Sequence, residues 1–203
     1  MSVGWSGHKP YEFADFFEGH FHERGMEVVH SRTLDFFGDL NYLKRFDLIM
    51  PNGTMGEITE EQENNLIEVV RLGVNLVRVH VGAGDAFRSS LNYQWMIGGQ
   101  FLGHPYVGEY EVRLTQKDHA TCSGIPTKFI VNTEQYYMLV DPSIEAETAY
   151  IYENQEVEMP VAWVKRWGKG RVFYSSLGHD PIEYKKFPEM RLLLTNAIKF
   201  LVE

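Results

Sequence analysis

Hydrophobic and polar positions in the first half of the chain alternate between helical and strand-like spacing. Apolar residues at every third or fourth position predict helices, and Thr59 with Gln62 forms a capping box at the start of one of them. The short apolar runs between helices predict strands, and this βαβα order predicts a parallel sheet with helices on both faces. The predicted helical segments are Tyr11–Arg24, Leu34–Phe46 and Thr59–Leu72, the predicted strands are Ser2–Trp5, Met26–His30, Asp47–Pro51 and Asn75–His80, and Asn52–Thr54 is predicted to be a loop.

The second half of the chain has mainly strand patterns. Gly168-Lys169-Gly170 separates two apolar runs and predicts a hairpin turn. The apolar positions of Pro188–Val202 follow the 3.6-residue period and predict a closing helix. No linker interrupts the pattern, so we predict one domain over residues 1–203. The predicted strands are Tyr106–Leu114, Lys128–Val131, Tyr136–Leu139, Ala149–Glu153, Val161–Trp167 and Arg171–Ser176.

Composition narrows the class of protein. With 203 residues, 44% hydrophobic content and a net charge of −9, the chain is long and apolar enough for a globular core. Lys and Arg form no long run, so a nucleic-acid partner is not expected, and no apolar run approaches the ~20 residues of a membrane helix. The single cysteine, Cys122, excludes an internal disulfide. Without a leader-like segment, we predict a cytoplasmic protein. Its many aromatic residues are compatible with a homo-oligomer, and the oligomeric state stays open.

Outside the predicted helices, four of the eight histidines stand within two residues of a glycine, and at least two of them end predicted strands. They are His8, His80, His104 and His179. Ligands of open α/β sheets bind outside the carboxyl ends of the strands. Histidine is the side chain best suited to acid/base chemistry or metal ligation near neutral pH. The sequence therefore predicts one polar site assembled from distant parts of the chain.

His80 is the sharpest catalytic candidate. It follows a buried strand and precedes Gly82-Ala83-Gly84-Asp85, where related α/β enzymes place a nucleophile on a tight turn. This turn has no Ser or Cys, so an acyl-enzyme is not expected there. The alternative is a histidine that only caps the strand through a backbone hydrogen bond. Asp85 has a structural alternative too, as the N-cap of the next helix.

Glu134 is the best carboxylate candidate. It lies among aromatic residues, including Tyr136, and partial burial there would raise its pKa towards the range of a general acid. The alternative is an exposed strand residue. For His179, we expect a partner from another loop rather than its neighbour Asp180, because adjacent residues seldom hydrogen-bond as base and orienting group.

The sequence neither establishes nor excludes a metal centre. Neither an HExxH motif nor paired cysteines occur, but a histidine–carboxylate site built from separate loops would leave no such spacing. A divalent metal therefore stays an open expectation. Trp5 and Tyr136 offer flat faces of the kind that stack on sugar rings, although most aromatic residues belong to cores.

Ordered motifs over nearly the whole chain carry a family resemblance. They are Gly4–Pro10, Thr54–Thr59, His80–Arg88, Tyr93–Phe101, His104-Pro105, Glu134–Met138 and Met159–His179. With these segments the chain resembles the ThuA-like (trehalose utilisation) family. That family is similar in fold to the class I glutamine amidotransferases. The resemblance implies a flavodoxin-like α/β three-layer sandwich with a mostly parallel sheet and added antiparallel strands in the C-terminal half.

The resemblance also implies a role in carbohydrate catabolism. ThuA-like proteins are associated with trehalose and related disaccharides beside a dehydrogenase that makes keto-sugars. We therefore expect an enzyme that acts on a keto-glycoside by hydrolysis, elimination or isomerisation. Amidotransferase activity is not expected, because the catalytic cysteine of the amidotransferases is absent from the tight turn at His80. The alternative is a non-catalytic sugar-binding or regulatory protein on the same scaffold. The expected catalytic residues are His80, Glu134 and His179, and the expected substrate-binding residues are Trp5, His8, Asp85, His104 and Tyr136.

Overall fold

The computed structural model describes residues 2–4, 9–80, 84–151 and 158–203. The strands of this part, β1 to β9, are Ser2–Gly4, Leu48–Ile49, Asn52–Thr54, Asn75–Val79, Gly99–Leu114, Lys128–Val140, Glu145–Ile151, Glu158–Trp167 and Gly170–Ser175. The helices, α1 to α6, are Pro10–His22, Leu40–Leu43, Glu60–Leu72, Leu91–Ile97, Glu183–Lys186 and Pro188–Val202. Among the described residues, no helix is both long and apolar enough to cross a bilayer.

Seven strands form one sheet in the order β2-β4-β9-β8-β7-β5-β6. Strands β2, β4 and β9 pair in parallel, whereas the pairings among β5 to β9 are antiparallel. Strands β1 and β3 form a separate parallel pair. The predicted α/β class, with parallel strands from the βαβ part and added antiparallel strands in the C-terminal half, is confirmed.

Helices cover both faces of the sheet, as the alternation in β4 shows. Val77 and Val79 belong to a core cluster that includes residues of α1 and α6. Leu76 points to the opposite face and belongs to a second cluster with residues of α3 and α4. Successive side chains of a strand face opposite ways, so an apolar run such as β4 indicates a strand buried on both faces.

The predicted cap at the start of α3 and the predicted β8–β9 hairpin are both present in the structure. The Thr59 side chain accepts from the Gln62 backbone N–H, and the Gln62 side chain accepts from the Thr59 N–H, which completes the predicted capping box. At the hairpin, Gly170 lies so close to α3 that an added Cβ would stand 2.3 Å from the Val70 carbonyl oxygen. The hairpin therefore packs against α3 only because this position carries no side chain.

Three predictions for the first half are wrong. Met26–His30 forms no strand, because its segment packs along the core edge without a pairing partner in the described part of the sheet. Asn52–Thr54 is not a loop but β3, which pairs with β1. The helix Leu91–Ile97 was not predicted, and its N-cap is Ser90 rather than Asp85.

In the second half, the predicted strands are fragments of longer ones. Lys128–Val131 and Tyr136–Leu139 are one continuous strand, β6, because β5 pairs along its whole length. The predicted Tyr106–Leu114 is the latter part of β5, which begins at Gly99. Of Ala149–Glu153, the end lies outside the described residues.

Candidate active site

Two neighbouring parallel strands bring His80 and His179 together. Strands β4 and β9 pair with Val79 opposite Ser175, so their carboxyl ends lie side by side. His80 directly follows β4, and its Nε2 lies 3.2 Å from Nδ1 of His179. The backbone of His80 has a φ of +44°, a left-handed conformation that is uncommon outside glycine and is often found at functional sites.

His80 is held by its surroundings in one orientation and one tautomer. Its side chain is 1% exposed, and Nδ1 lies 2.6 Å from the carbonyl oxygen of Ser176. A carbonyl only accepts, so Nδ1 carries the hydrogen and Nε2 presents its lone pair to the cluster. The Tyr136 hydroxyl, 3.1 Å away, donates to that Nε2. Strand capping through a backbone hydrogen bond was the alternative role for His80. The structure contains this hydrogen bond, and His80 is also part of the cluster.

Strand β6 supplies the carboxylate. Glu134 and Tyr136 are two residues apart on β6 and therefore face the same side. The Glu134 carboxylate places Oε2 3.2 Å from Nε2 of His80 and Oε1 3.3 Å from Nδ1 of His179. The expected partner of His179 from a distant part of the chain is therefore Glu134, whereas Asp180 pairs with Lys9 at 2.7 Å.

The three groups differ in their protonation. Burial opposes the charge of Glu134, but the neighbouring histidines, above all the hydrogen bond from His179, outweigh it and lower the Glu134 pKa. Burial thus acts in the expected direction, but the expectation of a raised Glu134 pKa is wrong. The hydrogen bond to Glu134 raises the pKa of His179, whereas burial lowers the pKa of His80. The arrangement favours a Glu134 carboxylate paired with a protonated His179 beside a neutral His80.

Besides Tyr136, which contacts His80, two of the expected substrate-binding residues lie near the cluster. His104 has its Nε2 3.8 Å from Oε1 of Glu134, and its side chain is 45% exposed. Asp85 is buried and forms an ion pair with Arg88. Burial raises the pKa of Asp85 by more than the ion pair with Arg88 lowers it. Trp5 and His8 lie outside the described residues.

Two contributors to the site were not predicted. Ser176 acts through its main-chain carbonyl, which any residue could provide, so no side-chain signal marks it. Glu183 accepts a hydrogen bond from the His179 backbone N–H at 3.1 Å, and thereby fixes the loop that carries the histidine. Its i+4 spacing from His179 was the one available hint.

A separate groove of about 580 Å³ lies away from the cluster. It runs beside α1 and is lined by the apolar residues Phe17, Phe21 and Phe46 among others. None of the histidine–glutamate cluster lines it. The groove offers volume, whereas the cluster offers converging acid/base groups, so we place the candidate active site at the cluster.

The sequence matches a family model described as trehalose utilisation, ThuA, over residues 1–201. The chain belongs to the ThuA family. Membership covers nearly all of the chain and indicates a carbohydrate-related role. No curated protein matches the sequence.

Solved structures similar to this ThuA-family chain support the fold. A putative ThuA-like protein from Bacteroides uniformis superposes with a TM-score of 0.82 at 16% identity, covering 98% of this chain and 89% of its own. A second, from Parabacteroides merdae, gives 0.78 at 17% identity, with 98% and 88% covered. A cytoplasmic protein from Salmonella typhimurium gives 0.68 at 10% identity, with 93% and 86% covered. At these identities the likeness establishes the fold alone.

Proposed function

We propose that this ThuA-family protein is an enzyme that cleaves or rearranges keto-glycosides by acid/base chemistry. The observation that carries the proposal is the convergence of His80, Glu134 and His179 within 3.2–3.3 Å at the carboxyl ends of β4 and β9. Family membership supports a sugar as the substrate class. A ketone acidifies the neighbouring C–H bond, so such a substrate needs one group to remove a proton and another to protonate the leaving oxygen.

Exposure divides the roles among the three side chains. The Glu134 carboxylate is 14% exposed, whereas His80 is 1% exposed, so Glu134 is the group assigned to take the substrate proton. His179 is 34% exposed and is assigned to protonate the leaving oxygen. His80 is buried and is not assigned to meet the sugar. The exposed His104 is assigned to substrate binding beside the carboxylate.

Product formation from 3-keto-trehalose and from trehalose, followed by mass spectrometry, tests the proposal. We expect turnover of the keto-sugar by the wild type and a loss of about 10²–10⁴-fold in Glu134→Gln and His179→Asn. Glu109→Gln is the matched control, because it makes the same chemical change at an exposed position of β5, the strand paired with β6. Full turnover by both site variants contradicts the proposal. Saturable sugar binding without turnover by the folded wild type would instead indicate a sugar-binding protein.

A further inference from the structure

We propose that His80, Glu134 and His179 form a binding site for a divalent cation of the Zn²⁺ type. The ligands are Nε2 of His80, the carboxylate of Glu134 and Nδ1 of His179. Whether the cation binds is independent of the proposed function, but its chemical role rests on that function.

The distances between the three groups fit a common central ion. Nε2 of His80 is 3.2 Å from Nδ1 of His179, and the two carboxylate oxygens are 3.2 and 3.3 Å from these nitrogens. Ligands about 2.0–2.1 Å from a tetrahedral Zn²⁺ are about 3.3–3.4 Å from one another. Each nitrogen is thus at zinc-ligand spacing from the other nitrogen and from one carboxylate oxygen, and one ligand atom of each side chain lies within 4.8 Å of the others.

The hydrogen bonds of His80 give a second argument for a bound cation. The Nδ1–H of His80 is committed to the Ser176 carbonyl, so Nε2 has no hydrogen of its own to offer Glu134. A carboxylate is also an acceptor only, yet its Oε2 stands 3.2 Å from that nitrogen. A cation between the two acceptors would turn this contact into an attraction and would replace the Tyr136 hydroxyl at Nε2. The donation from Nδ1 to a backbone carbonyl is also the usual outer support of a metal-bound histidine.

The donor set indicates the kind of ion and what it does. Two imidazole nitrogens and one carboxylate match the three-ligand pattern of catalytic zinc sites, which keep a further position for water or substrate. The exposed His104 lies next to this carboxylate, with its Nε2 3.8 Å from Oε1. Binding displaces the proton from His179. With Glu134 and His179 engaged as ligands, the cation would act as a Lewis acid at the keto oxygen of the substrate. A hydroxide held at the further position would take the proton beside the ketone and pass it to the leaving oxygen.

Calorimetric titration of ZnCl₂ into chelator-treated, metal-free protein tests the site without any sugar. We expect one saturable equivalent per chain in the wild type and in Glu109→Gln. In Glu134→Gln and His179→Asn we expect the affinity to fall by more than the roughly 10–100-fold that follows loss of an outer-shell partner. Co²⁺ is a second probe, because visible absorption reports the coordination geometry. Thermal unfolding without metal verifies that each variant is folded. If Glu134→Gln does not fold, the test rests on His179→Asn, which changes a more exposed residue.

The possible outcomes separate the two proposals. Zn²⁺ binding that is lost in both site variants and kept in Glu109→Gln supports the cation site, even if no keto-sugar is turned over and the proposed function fails. Folded wild-type protein that binds no Zn²⁺, or that loses no affinity in either variant, overturns the cation site. Turnover of the keto-sugar by such a protein, unaffected by chelator, leaves the proposed function standing alone.

Discussion

Acidification below pH 6.5 is expected to destabilise the protein through His20, which lies outside the candidate active site. His20 is on α1 and is 2% exposed, and its Nδ1 has no hydrogen-bond partner among the described residues. Burial, together with the positive charges of Arg24 and Arg191, lowers its pKa from 6.5 to about 4. Replacing His20 by leucine removes the titrating ring but keeps an apolar side chain at a buried position.

The magnitude follows from the shift in the His20 pKa. A histidine whose folded pKa is lowered stabilises the fold above its unfolded pKa, and that stability is lost as pH falls from 6.5 towards about 4. The full shift of about 2.5 units corresponds to roughly 3.4 kcal/mol of unfolding free energy. At pH 5 the unfolded chain is largely protonated and the folded chain is not, so about 2 kcal/mol is lost relative to pH 7.5.

Urea unfolding at pH 7.5, 6 and 5 measures this loss as the change in unfolding free energy. Other groups titrate too, so the informative quantity is the difference between the wild type and His20→Leu, which we expect to lose about 2 kcal/mol less between pH 7.5 and 5. His22→Leu, at an exposed position of the same helix, is the control and should follow the wild type. An identical loss in the wild type and His20→Leu would refute the reasoning. The comparison of the wild type with His20→Leu also shows how much of a loss of activity at low pH comes from unfolding rather than from titration of active-site groups.

Three further predictions concern the glycines, a helix cap and the support of the site. Gly170→Ala should lower the unfolding free energy by about 1–3 kcal/mol in urea titrations, because its Cβ would meet backbone atoms of α3, whereas Gly19→Ala, in open space on α1, should raise it by about 0.5–1 kcal/mol. Stability that is equal in both variants would contradict this account. Thr59→Ala should cost about 1 kcal/mol and Thr59→Ser much less, because only the hydroxyl caps α3; equal losses would contradict the cap. Glu183→Gln should lower kcat for the keto-sugar more than it raises KM, because Glu183 positions the His179 loop; a change in thermal stability alone would argue against that role.

The sequence by itself determined those features that depend on neighbouring residues. The capping box of α3, the closing helix and the buried strand before His80 were predicted because dihedral preference and hydrophobic period are local properties. The histidines at the ends of β4 and β9 were found in the same way. Local patterns failed where a partner decides the structure: β3 exists because β1 pairs with it, and β6 is continuous because β5 supports its whole length.

Only the tertiary structure decided which groups meet and how they share protons. Glu134 is 54 residues from His80 and 45 from His179 along the chain, and no spacing rule joins them. The sign of its pKa shift was mistaken for the same reason. Aromatic neighbours in the sequence suggested burial, which raises a carboxyl pKa. The histidines brought by β4 and β9, above all the hydrogen bond from His179, lower it further than burial raises it.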